Sequence, residues 1–102
     1  MDRIDPTPLD EALARILSEP SWAQQILTAT AGQLRIQDPF LVLTDNDLTA
    51  TLDMVAELLT GHLPLAVAEQ AMERAAAALP LLHHRETCDA YAWRIDQIAR
   101  GL

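Results

Sequence analysis

Leu79–Trp93 reads LPLLHHRETCDAYAW, and its reading decides how the C-terminal part of the chain is built. Pro80 lacks the amide that a preceding helix would use, yet it suits the first turn of a new one. Beyond it, Leu81, His84, Cys88, Tyr91, Ala92, Ile95, Ile98, Ala99 and Leu102 recur at threes and fours. That spacing predicts one long amphipathic helix running from Pro80 to Arg100 and closed by Gly101. Asp96–Arg100 and Arg85–Asp89 are i,i+4 pairs on such a helix.

The same stretch concentrates chemistry. His83, His84, the sole cysteine Cys88, Glu86 and Asp89 fall within seven residues. On a helix His84 and Cys88 share a face, but zinc requires further ligands. His83 and Glu86 point away from that face, and His62 belongs to a different loop. The chain has no Cys-x-x-Cys, His-x-x-x-His or Glu-x-x-His motif. The simpler expectation makes Cys88 a small core residue, places His84 at the edge of the buried stripe, and leaves His83 and Glu86 solvated. A metal or redox protein using His83, His84 and Cys88 is the third functional reading.

The upstream sequence is also helical in character. Half of the 102 residues are apolar, mostly Ala and Leu, and aromatic residues are scarce. Unbranched side chains favour helix over strand. Thr7-Pro8-Leu9-Asp10 has the form of a helix start, with Leu9, Leu13, Ile16 and Leu17 on one face. Ser21-Trp22-Ala23-Gln24 is a capping box opening a helix that carries Trp22, Ala23, Ile26, Leu27 and Thr30 and ends near Gly32. Gln33–Leu43 reads as an irregular connection. Thr44-Asp45-Asn46-Asp47 opens the next helix, whose inner stripe is Leu48, Leu52, Val55, Ala56 and Leu59, widened by Met54 and Leu58. Gly61 and Pro64 bound a tight turn into a partner helix with the stripe Leu65, Ala68, Ala71, Met72, Ala75 and Leu79. The expected fold is therefore all-α: a single domain over residues 1–102, a small bundle of four to five helices with a central αα-hairpin.

Charge narrows function. The net charge is -8, every basic residue is arginine, and no arginine lies between Ile36 and Glu73. An acidic middle repels a phosphate backbone, so direct nucleic-acid binding is not expected. No apolar run approaches the ~20 residues that span a bilayer, and a lone cysteine needs no oxidising compartment. A cytoplasmic protein without membrane attachment is the expectation. The only serines, Ser18 and Ser21, are capping or loop residues, no glycine-rich phosphate loop occurs, and enzyme activity is not expected.

An acidic helical chain in which Asp47-Leu48 opens a helix, with Pro64 beyond the next turn, resembles the acyl carrier proteins over a short stretch. That family carries phosphopantetheine on the serine of an Asp-Ser-Leu motif. Asp45-Asn46-Asp47-Leu48 has no serine, so the resemblance implies no cofactor here.

The leading reading is a non-catalytic, acidic protein-binding module: an adaptor, inhibitor or regulatory subunit. Two surfaces are expected to carry it. One surrounds Trp93, Arg94 and Arg100 on the final helix, where a tryptophan on the polar side suits an interface or a homodimer. The other is the acidic outer face of the hairpin, with Asp53, Glu57, Glu69 and Glu73, which suits a basic partner. The alternative reading is an acidic DNA mimic that inhibits a nucleic-acid-binding protein.

Overall fold

The computed structural model describes residues 21–102, and the helix predicted from Thr7 lies outside them. Among the described residues the chain forms four helices: α1 (Trp22–Gln37), α2 (Asp45–Thr60), α3 (Leu65–Ala78) and α4 (Cys88–Arg100). None of them is long and apolar enough to cross a membrane.

α1 starts where the capping box predicts, with the Ser21 hydroxyl accepting the Gln24 amide at 3.0 Å. It does not stop at Gly32. Ala31 and Leu34 on either side of the glycine are both fully buried, and continued helix keeps Leu34 on the core face. The helix gives way only at Asp38, which is extended because Pro39 follows it. Gln33–Gln37 are thus helical, and the irregular segment predicted over 33–43 shrinks to 38–43.

α1 is also the spine of the bundle. It packs most extensively on α4, then on α2 and α3, while the arms of the α2–α3 hairpin meet each other less than either meets α1. The hairpin is therefore peripheral, and the helix before it is central. Ile26, Leu27, Ala31 and Leu34 of α1 are enclosed by Leu48, Leu52, Val55 and Ala56 of α2, Ala71 and Ala75 of α3, and Tyr91, Ala92, Ile95 and Ala99 of α4. α3 contributes only alanines to the fully buried set, which lets its backbone approach closely.

Three predicted stripe residues of the hairpin fall outside the core: Met54, Leu58 and Leu65 are exposed, Leu65 to 73 %. At about 100° per residue, Leu65 stands roughly a quarter turn around α3 from the Ala71–Ala75 line. Met54 and Leu58 lie further still from the middle of the Leu52–Val55–Ala56 face. The inward stripes are narrower than the apolar stripes.

Gly61 caps α2 where predicted. A Cβ there would lie 2.6 Å from the Glu57 carbonyl oxygen, so a side chain would force the turn open.

The largest correction concerns the final helix. It begins at Cys88, and Leu81–Thr87 form a connection in which Arg85 takes a left-handed φ of 58° that a helix cannot contain. Leu81 is 87 % exposed instead of inward-facing. The reason is tertiary. The Leu43 N–H donates to the Glu86 carbonyl at 2.8 Å and the Cys88 N–H to the Leu41 carbonyl at 2.9 Å, forming a short antiparallel bridge of Val42 with Thr87. The Arg85–Asp89 and Asp96–Arg100 helical pairs are replaced by ion pairs from Arg35 on α1, 2.6 Å from Asp96 and 3.7 Å from Asp89.

Because Gly32 is helical and nothing lies within 4 Å of the position of an added Cβ, Gly32→Ala should stabilise the protein by about 0.5–1 kcal/mol. Thermal unfolding should show a higher midpoint; a lower one would place the end of α1 at Gly32.

Candidate functional site

The predicted His–Cys cluster does not assemble. His83 and His84 are exposed in the connection before α4, where Leu82–Arg85 face Val42–Asp45 across an open hollow. Cys88 is buried at the first turn of α4. His62 lies at the far end of α2, its ring edge-on to Trp22 with centroids 6.0 Å apart. Among the described residues no three His, Cys, Asp or Glu side chains come together as a metal site. Burial pushes the Cys88 thiol above its ordinary range, reinforced by the carboxylates of Asp38 and Asp47. Such a thiol is a poor nucleophile at neutral pH.

α4 also presents no spare amides to an anion. The Cys88 and Asp89 N–H groups donate to the carbonyls of Leu41 and Pro39, and the Ala90 N–H donates to the Thr87 hydroxyl at 3.2 Å. Thr87 is an N-cap followed by Asp89 in the first turn, a signal that the longer apolar periodicity overrode.

Glu86, expected to be solvated, is the most connected carboxylate of the region. It is buried, accepts the His83 N–H at 3.0 Å and pairs with the Arg94 guanidinium at 2.6 Å. Burial alone would raise its pKa; the His83 amide and Arg94 together outweigh that and hold it below the usual 4.5. Arg94 also lies 5.6 Å from the centre of the Tyr91 ring. The Tyr91 hydroxyl donates to the Pro80 carbonyl at 2.6 Å. Burial pushes that phenol up to about 12, against a lowering effect from Arg94. No sequence spacing announced this set, since Glu86 and Arg94 are eight residues apart with a helix start between them.

These contacts separate the residues predicted for the α4 surface. Trp93 is 61 % exposed. Arg94 is turned inward to Glu86, about a third of a turn round the helix from Arg100. Arg100 borders a shallow depression with Gln24, Thr28, Asp96 and Ala99. Trp93 and Arg100 share the outer face, and Arg94 does not.

The hairpin acids, in contrast, are brought together. Between α2 and α3 runs an open groove with Ala56, Ala68 and Met72 among its apolar lining and Glu57, Glu69 and Glu73 along it. Thr60 adds no free donor, because its hydroxyl bonds the Ala56 carbonyl at 2.6 Å. Asp53 lies one helical turn before Glu57, outside this lining. Glu86, Asp89 and Asp96 all have arginine partners, whereas Asp53, Glu57, Glu69 and Glu73 have none among the described residues. Unpaired acids along an apolar floor can hold a cationic, partly apolar segment; they lack the nucleophile and proton partners of a hydrolytic site.

Glu86→Gln should destabilise the fold by about 2 kcal/mol, through loss of a charge-assisted hydrogen bond at a buried group. The sign with pH follows from its lowered pKa. The stabilisation is complete above the unfolded-state value and is lost as pH falls through the lower folded-state value. Denaturant titrations at several acidic pH values should therefore show a shallower decline for Glu86→Gln than for the unaltered protein, and parallel declines would remove Glu86 from this role. No known protein family, curated protein or solved structure matches the chain.

Proposed function

We propose that this protein is a non-catalytic binding module whose α2–α3 groove receives a basic, amphipathic segment of another protein. The observation that carries this reading is the sorting of charge. Arg35 and Arg94 neutralise the acids of α4 and the connection before it, while among the described residues the groove acids have no ion-pair partner. The segment from Ile36 to Glu73 has no positive side chain to oppose them. Alanines in the lining make the groove shallow enough for an approaching helix, and Met72 supplies an adaptable apolar surface. A cationic partner would gain both a faster encounter and a preferred orientation. The exposed Trp93 is a separate anchor for a second contact or for self-association.

The test uses a synthetic amphipathic helix with arginine and lysine on one face, titrated at low and high salt. Binding should weaken as salt rises. The triple variant Glu57→Gln, Glu69→Gln, Glu73→Gln should lose about tenfold in affinity while folding normally. Salt-independent binding, or binding unchanged in the triple variant, would defeat the proposal.

A further inference from the structure

The connection between α1 and α2 leaves a backbone edge open. Leu41 and Leu43 direct a carbonyl and an amide toward Cys88 and Glu86. In an antiparallel pair, the residue between two such bonds turns its own N–H and C=O to the opposite side. Val42 is that residue, facing Thr87 across the bridge. Its N–H and C=O have no hydrogen-bond partner among the described residues. The Thr44 N–H, two residues further on, is equally unpaired there. Thr44 is extended as well, so the period of two places its N–H on the same edge as the Val42 groups, while Pro39 and Phe40 form a turn closed by the Leu41 N–H on the Asp38 carbonyl.

The side chains beside this edge are apolar and outward. Phe40 is 83 % exposed, Leu41 53 % and Val42 44 %. An exposed apolar edge of this kind is a template for another extended chain. Charge specifies that chain. Pro39–Thr44 is uncharged but bracketed by Asp38 on one side and Asp45 and Asp47 on the other, none of them in an ion pair among the described residues. A second copy fits poorly. Antiparallel pairing of Val42 with its own counterpart would bring Asp38 of each copy toward Asp45 and Asp47 of the other.

We propose that the Val42–Thr44 edge accepts an extended segment of another protein, apolar at its centre and basic at both ends, as an added antiparallel strand. This surface is separate from the hairpin groove and does not depend on it.

The probe is a short synthetic peptide of alternating valine and threonine with arginines at both ends; its control has proline at the centre. The probe should bind and slow hydrogen exchange at the Val42 and Thr44 amides, and the control should do neither. Val42→Pro removes the outward N–H while sparing both inward bonds, so it should weaken binding about tenfold. Val42→Thr, which keeps the amide, should bind as the unaltered protein does. Absence of binding, unslowed amides at saturation, or equal affinity in a folded Val42→Pro variant would overturn the proposal. So would loss of peptide binding on neutralising Glu57, Glu69 and Glu73, or formation of a peptide-independent dimer through the same edge. Should Val42→Pro fail to fold, amide exchange in the unaltered protein decides alone.

Discussion

The first turn of α4 needs acceptors for amides that its own helix cannot satisfy. Pro39 and Leu41 supply two of them from the connection between α1 and α2, and Thr87 supplies the third. This arrangement fixes where α4 begins and binds its start to the end of α1. In the same connection Leu43 turns its side chain into the core, while Phe40, Leu41 and Val42 are exposed. Glu86 secures the other half of the junction. Its carbonyl takes the Leu43 amide, while its carboxylate joins the His83 backbone to Arg94. The same residues that close the helix end also sequester the cysteine.

Much of the helical framework was legible in the chain. Ser21 and Thr44 both cap as their motifs indicate, because each cap depends on residues within one turn. The inward positions Ile26, Leu27, Leu52, Val55, Tyr91 and Ile95 follow directly from helical periodicity. Errors arose where long-range contacts compete with local pattern. Gly32 carries the signal of a helix end, but the burial of Leu34 beyond it overrules the local preference of glycine. Leu81 and His84 extend the apolar period of α4 backward. The bridge to Leu41 and Leu43 takes those backbone groups out of any helix. Leu65 shows the complementary failure: it extends the apolar stripe of α3 but stands about a quarter turn off the Ala71–Ala75 line that faces the core.

The functional surfaces divide in the same way. Spacing alone puts Asp53, Glu57, Glu69 and Glu73 on the outer faces of the hairpin; in the fold Glu57, Glu69 and Glu73 line the groove between its helices, and Asp53 lies outside that lining. What spacing could not show was which charges are already neutralised. Arg94 and Arg100 are near in sequence, yet one completes a buried ion pair and the other lies on the outer face with Trp93. The open edge at Val42 had no sequence signature, because it arises from pairing with residues more than forty positions away. The proposed binding functions therefore rest on two different legacies of the fold: unneutralised charge on the hairpin, and unpaired backbone at the α1–α2 connection.

The central structural claim is that α4 starts at Cys88, held by acceptors from the preceding connection. Residue-resolved amide hydrogen exchange on the unaltered protein tests it most directly. Leu43, Cys88 and Asp89 should be protected together, while the amides of His84 and Arg85 exchange rapidly. Strong helical protection at His84 and Arg85, with Leu43 left unprotected, would mean that α4 runs back toward Pro80 and that the junction does not form.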